Sequence, residues 1–503
     1  MIREIFQKAK KILWAAFLVS LPVTNFPYFP AALGGSKVSV RPLLIYPLLL
    51  LVLVILPSVW KRKLPRVWLP FLVFFFLVMI SSLLPLFSGV TSEMSELSLS
   101  SRLIRTLFTL FLAGAIYFVV SLMPLSEGDL DFTLRWLYVG LVISLIWATL
   151  QLIYILDLIP GWFDIMKKMQ RHITISRGNT GRLIGLTQEP SWFADQLAAL
   201  YLPWIYASVL RNRSVFKRIT KWLTVEWVLF GWVGVILVFT LSRSGYLTAA
   251  AVLFLGFLFF RTKHRDLKDQ AQTGGFFTRM QNKFLQLPGF LRVVIPGLIL
   301  IVALGAGIYF ASRNNNYISH MWDYWLRTST EFQDLGKRTL SGYIRYIGFG
   351  PRFVYWETAY NIFRSYPLLG VGLGNYTFYF SDFMPARQVG YMPELLRILV
   401  PDKPSIITTK NYIARLLAET GIVGTAAYIS FLIVLGGQGL YIWLSRDQNQ
   451  KYWGAGILLG MIAFLMNTFS YDSFAIPNPW IIFGLATAAF PIFYQKDKKE
   501  ISN

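Results

Sequence analysis

The chain has 503 residues, is 55% hydrophobic and 17% aromatic, and is only 15% charged, with a mean hydropathy of +0.52. That charge content is well below the roughly 25% of a soluble domain, so the sequence reads as an all-α polytopic membrane protein. Its net charge of +23 argues against nucleic-acid binding once the Lys and Arg are seen to lie mostly between apolar runs. The absence of Cys excludes disulfides and thiolate chemistry, and His172, His264 and His320 show no metal-ligand spacing.

In chain order, apolar runs long enough to cross a bilayer fall near 12–29, 42–58, 67–87, 104–123, 134–156, 191–210, 225–241, 244–260, 291–311, 416–444, 452–470 and 478–494. They predict about twelve transmembrane helices. The stretch from Met1 to Lys11 followed by an apolar run resembles a signal peptide, but Ser20 to Pro30 offers no small-x-small cleavage site, so it is read as a retained first helix. Placing the N-terminus in the cytoplasm puts Lys61-Arg62-Lys63 with Arg66, Arg211 to Lys221, Arg261 to Lys283 and Lys496 to Lys499 on the inside. Both termini are then cytoplasmic, and 157–190, the tight turn at Arg243 and the long segment 312–411 face outward. The implied organisation is an N-terminal bundle over 1–311, an external loop with interfacial helices over 312–411, and C-terminal transmembrane helices over 412–503.

The external segments should be poor in cations, yet they hold Arg171, Arg177, Arg182, Arg243, Arg313, Arg327, Arg338, Arg345, Arg352, Arg364, Arg387 and Arg397, with Arg415 at a helix entrance. Arg outnumbers Lys there, and the planar guanidinium suits bidentate phosphate binding. Pairing with Glu331, Asp334, Glu357, Asp382 or lipid headgroups is the competing explanation for any single one of them. Within the long segment, Tyr317 to Arg327 and Val354 to Ser365 have amphipathic helical spacing, the second with Tyr355, Ala359, Ile362 and Phe363 on one face. Their Trp and Tyr fit either an aromatic belt or sugar stacking.

Three stretches share a character: Arg182 to Glu189-Pro190-Ser191-Trp192, Ser242-Arg243-Ser244-Gly245 in a turn between two apolar runs, and Arg352 to Trp356 ahead of Pro367 to Gly374-Asn375. Lys410-Asn411-Tyr412 then leads into Arg415 and Leu417-Ala418-Glu419-Thr420-Gly421. A guanidinium at Arg243 is costly in lipid and needs an anion or a wet cavity. The glycines of 370–374 follow no βαβ strand, so they read as a tight turn packing close to its surroundings, not as a nucleotide loop.

Taken in this order and spacing, these motifs resemble the O-antigen ligase and O-antigen polymerase superfamily, most strongly over 240–430. The resemblance implies an integral glycosyltransferase of the cytoplasmic (inner) membrane, with its active site on the external face and no cofactor. Its donor would be a glycan on undecaprenyl diphosphate, and its partners an acceptor glycan or lipid, membrane lipid and a chain-length regulator. The family's two diphosphate-holding arginines map to Arg243 and Arg352, with Arg182, Trp356, Asn411 and Arg415 as further substrate-binding candidates. Family ligases carry His before the last motif's Asn, where this chain has Lys410, a poor base near its ordinary pKa but a suitable phosphate clamp. The base role would pass to Glu189, whose place before Pro190 equally suits a helix cap. Glu419 is expected to pair with Arg415 at i, i+4. Polymerase is favoured over ligase, and a flippase for the same lipid-linked glycan is the alternative from another class.

Overall fold

The computed structural model describes residues 2–30, 40–59, 64–87, 98–176, 181–220, 223–260, 350–385, 395 and 406–502. The expected span 291–311, the helix at Tyr317 to Arg327, Lys61 to Lys63, all of Arg261 to Lys283, and Arg177, Arg313, Arg327, Arg338, Arg345, Arg387 and Arg397 lie outside the described residues. Among the described residues the protein is entirely helical, apart from one isolated bridge between Asn25 and Arg41.

The first part of the chain forms α1 (Ile2–Ser20), α2 (Ile45–Val59), α3 (Trp68–Leu83), α4 (Leu99–Leu122), α5 (Glu127–Ile155) and the short α6 (Trp162–Gln170). Among the described residues, four helical stretches are long and apolar enough to cross a membrane: Trp68–Leu86, Leu99–Leu122, Glu127–Ile155 and Tyr412–Leu444. Side-chain caps mark several starts. Ser98 accepts from Ser101 N–H at α4, and Ser126 accepts from Asp129 N–H at α5. One boundary departs from expectation: α1 stops at Ser20 rather than running to 29. Pro22, Pro27 and Pro30 lie just beyond, and neither they nor the residues before them continue a helix well.

The stretch expected at 191–210 is a helix in three pieces. These are α7 (Pro190–Asp195), a π-helical segment (Gln196–Tyr201) and α8 (Leu202–Arg211). Pro203 supplies no N–H to the ladder where the π segment ends, so the hydrogen-bond register loosens there. Next come α9 (Val225–Thr240), α10 (Arg243–Phe260), α11 (Gly350–Ser365), α12 (Tyr376–Phe383), α13 (Tyr412–Leu444), α14 (Gln448–Asn467) and α15 (Pro477–Ser502). The amphipathic reading of Val354 to Ser365 matches α11, which buries Val354, Tyr355, Thr358, Ala359 and Ile362, with Phe363 half-buried.

Helices from before and after the 312–411 segment share one core, running from Trp14 to Phe493. α15 packs along α4, α13 along α3, and α14 along α8 and α10. Small residues set the close approaches. Gly456 accepts the face of Trp204, which also meets Trp453 at 5.2 Å between ring centroids. At one end of the bundle Lys496 joins Glu127 at 3.1 Å and Asp447 at 2.6 Å, tying α15 to the starts of α5 and α14. The opposite end carries the site.

α13 is broken. Gly421 has φ +61° inside it, which frees the carbonyls of Ala418 and Glu419 and the N–H groups of Ile422 and Val423. The segment Pro367 to Gly372 satisfies all four. Val371 and Gly372 donate to Ala418 O (3.0 Å) and Glu419 O (2.8 Å), while Ile422 and Val423 donate to Pro367 O (2.8 Å) and Leu368 O (3.3 Å). A Cβ on Gly421 would strike the Leu368 carbonyl, and one on Gly370 would lie 2.5 Å from the carbonyl carbon of Glu419. Gly421→Ala should therefore destabilise by about 1–3 kcal/mol, read as a lower Tm of the purified protein in detergent. Gly437→Ala, in open space on the same helix, should hold or raise Tm.

Candidate active site

Two clusters meet at this end of the bundle. The first is built on the turn between α9 and α10. Leu241 takes φ +50° there, and the Ser242 hydroxyl accepts from Gly245 N–H at 3.3 Å, starting α10 with Arg243 in its first turn. Arg182 fastens the end of α9, donating from Nε to Thr240 O (3.0 Å) and from Nη2 to Leu241 O (2.9 Å). These two bonds brace the backbone ahead of Arg243. Arg243 is half-buried at a helix N-terminus, where the dipole disfavours a cation but favours an anion. A guanidinium at a helix N-terminus makes that place suited to a phosphate.

Gly245 sits against α7, where a Cβ would lie 2.5 Å from the Ala194 Cβ, so the Ser242 to Gly245 and Glu189-Pro190 motifs are brought together. Glu189 is exposed at the N-cap of α7 and makes no side-chain cap hydrogen bond; instead Ser191 Oγ donates to its Oε2 at 3.3 Å. The capping explanation of this carboxylate is not what the geometry shows.

The second cluster gathers on the loop between α14 and α15, residues 468–476. Arg352, in the first turn of α11, donates from Nη1 to Phe469 O at 2.9 Å. Asp472 Oδ2 accepts from Thr409 Oγ1 and from the Lys410 backbone N–H, both at 2.9 Å, and this holds Lys410 at φ +50°. The Lys410 Nζ lies 5.6 Å over the Tyr355 ring of α11, a cation–π contact. Asn411 is the N-cap of α13, its Oδ1 accepting from Ala414 N–H at 2.9 Å. Arg415 is buried, pairs through Nε with Glu419 Oε2 at 2.7 Å, donates to Asp472 O at 2.5 Å and stacks near Phe474. The i, i+4 pair is present as expected. These contacts of Asn411 and Arg415 fasten the fold around the site.

Glu419 extends this ordering to α12, since its Oε1 accepts from Tyr376 N–H at 3.3 Å. The 370–375 turn is held from the other side, with Leu373 N–H on Ser82 Oγ (3.0 Å) and Arg102 Nε on Gly374 O (2.9 Å). Trp356 is half-buried one turn beyond Arg352, its ring 5.6 Å from that of Phe353.

Asn467 and Asp195 bridge the clusters. Asn467 accepts from Thr248 of α10 at 2.6 Å and donates to Asp195 of α7, which also accepts from Tyr471 and Asn478. The sequence reading missed both Asp195 and Asp472. A carboxylate inside the apolar run 191–210 was the available signal for the first, because a charge at that depth is expensive and usually functional. Among the described residues no cluster of His, Asp or Glu is arranged to hold a metal ion.

Removing one partner of the buried Arg415–Glu419 pair leaves the other charge uncompensated, at about 3–5 kcal/mol. Arg415→Met should therefore sharply lower Tm, and the double variant Arg415→Met with Glu419→Gln should recover much of the loss; Tm measurements on the three proteins check this.

Residues 228–429 match the family model of O-antigen ligase (Wzy_C). That interval takes in the α9–α10 turn, α11, α12 and the broken part of α13, and leaves outside it Glu189, Asp195 and the 468–476 loop. No curated protein matches the chain. This match supports the resemblance of the segment 228–429 to the O-antigen ligase and polymerase superfamily.

Proposed function

We propose that the protein transfers a glycan from an undecaprenyl diphosphate carrier to an acceptor hydroxyl, polymerising lipid-linked O-antigen-type repeat units. The observation that carries this reading is a pair of guanidinium groups on separate helix starts, Arg243 on α10 and Arg352 on α11, within one family-matched segment. In the reaction the acceptor oxygen attacks the anomeric carbon, the bond from that carbon to the phosphate oxygen breaks, and the electron pair leaves with the carrier diphosphate. Arg243 and Arg352 stabilise the charge growing on that diphosphate, so the step needs no metal. Lys410, anchored by its backbone and turned over Tyr355, adds a third cation. The exposed Glu189 takes the acceptor proton, and a single displacement inverts the anomeric centre. Trp356 offers a face for a sugar ring.

The same reading carries about twelve spans, both termini in the cytoplasm and the site on the external face of the cytoplasmic membrane. Transfer of the finished glycan to a lipid or protein acceptor is the second reading, favoured by the ligase description of the matched family. The side chain standing where family ligases carry His is a lysine, which weighs toward polymerase.

An assay with purified protein, lipid-linked oligosaccharide and chelator checks these statements. A ladder of longer lipid-linked glycans is expected, with Arg243→Ala and Arg352→Ala each slower by about 10²–10³. Glu189→Gln should lose rate by about 10²–10⁴ if the carboxylate is the base. Transfer only when a different acceptor is supplied would establish a ligase. Carrier movement across vesicles without any transfer would overturn the glycosyltransferase reading.

A further inference from the structure

The short helix α6 starts a few residues after α5 ends, at the end of the bundle that carries the site, and no step of the proposed transfer uses it. Asp157 at φ +52° and Gly161 at φ +75° turn the chain out of α5 and bring α6 back against it. At about 3.6 residues per turn the side chains of α6 fall into three sectors. One faces the protein: Met166 and Gln170 are buried, Trp162 Nε1 donates to Leu150 O at 2.8 Å, and the Phe163 ring lies 5.2 Å from that of Tyr154. The second is apolar yet open, with Ile165 49% and Met169 45% exposed, and the turn ahead of it adds Leu158 at 65% and Ile159 at 48%. The third carries Asp164, Lys167, Lys168 and Arg171. Among the described residues Lys168 and Arg171 form no ion pair with Asp157, Asp164 or any other carboxylate. Water penalises the open apolar sector, and a bilayer interior penalises the cations beside it. A short helix with both finds its place at the boundary between the two.

We propose that α6 lies in the membrane surface at the site end, with Leu158, Ile159, Ile165 and Met169 among the acyl chains and Lys168 and Arg171 at the headgroup phosphates. Its place in the chain agrees. α5 is long and apolar enough to cross a membrane, and α6 follows directly where that span ends. The long Lys and Arg stems let the charges reach phosphate while the helix stays at the level of the chains. This contact has a route to the site. Gln151 of α5 donates from its amide nitrogen to Gln170 Oε1 (2.8 Å) and to Gly185 O (3.0 Å), and accepts from Gly185 N–H (2.9 Å). Gly185 lies between Arg182, which braces the end of α9, and Glu189. The leaflet thereby supports, through α6, the loop that presents Glu189. The partner is the bilayer itself, so the inference stands whether or not the protein transfers a glycan.

The chain has no Cys, so a single introduced cysteine reports one position. Asp164→Cys, Ile165→Cys and Met169→Cys change exposed side chains, and each should keep the Tm of the wild type. Each full-length variant is labelled with bimane and placed in phosphatidylcholine nanodiscs. Lipid carrying a nitroxide near the top of its acyl chain should quench the label strongly at Ile165→Cys and Met169→Cys and weakly at Asp164→Cys, and aqueous iodide should do the reverse. Exchanging part of the phosphatidylcholine for phosphatidylglycerol should increase lipid quenching at Met169→Cys, and adding Lys168→Gln with Arg171→Gln should abolish that gain. Equal iodide quenching at all three positions would place α6 in water, and protection of Ile165→Cys and Met169→Cys from both quenchers would place it under protein; either result overturns the proposal. Lipid quenching that ignores both headgroup charge and the two Gln substitutions would overturn the phosphate contact.

Discussion

A polypeptide inside a bilayer cannot leave backbone groups unmatched, and the structure of this protein around its site follows from one breach of helical regularity and its repair. Gly421 interrupts α13, and the strand-like pairing of Pro367 to Gly372 with the two sides of the break restores each lost hydrogen bond. Because the repair comes from a segment distant in sequence, the break fixes where that segment lies. Gly370, Gly372 and Gly374 all take positive φ, and the turn they form carries α11 on one side and α12 on the other. The orientation of Arg352 and Trp356 is thus inherited from an irregularity two elements away.

The second constraint is electrostatic. A guanidinium in an apolar bundle is tolerated where carbonyls and carboxylates meet it, and Arg102, Arg182, Arg352 and Arg415 each find backbone carbonyls. This divides the arginines by task. Arg182, Arg102 and Arg415 tie turns and helix ends in place, while Arg243 and Arg352 stand at the starts of α10 and α11, where the helix dipoles favour an anion. The loop 468–476 serves both kinds, offering main-chain oxygen to Arg352 and Arg415 and a carboxylate to Thr409 and Lys410.

Much of the helical plan is legible in the sequence, because a long apolar run has few other options in a membrane. The runs near 104–123, 225–241, 244–260 and 452–470 correspond to helices within about five residues at each end. Hydropathy misjudges α1, since apolar residues interleaved with Pro22, Pro27 and Pro30 score as membrane but cannot be helix. It is also blind to the π segment at Gln196–Tyr201, whose side chains are as apolar as a regular helix would carry. At the site, residue type pointed to phosphate chemistry but could not tell which arginines meet backbone carbonyls, as Arg102, Arg182, Arg352 and Arg415 do. Asp472 was invisible because its importance lies in contacts across more than sixty residues, to Thr409 and Lys410.

The order of synthesis gives the α14–α15 loop another meaning. The segment carrying Arg243 and Arg352 leaves the ribosome well before residues 468–478, and until they arrive Arg352 lacks the Phe469 carbonyl, Lys410 lacks its Asp472 anchor and Asp195 lacks Tyr471 and Asn478. A partly inserted chain holds the cations of the site without their geometry. Insertion of the last hairpin, completed as α15 packs along α4, is then the step at which a collection of charged helix ends becomes a single cluster, so assembly of this end of the protein is coupled to completion of its helical bundle.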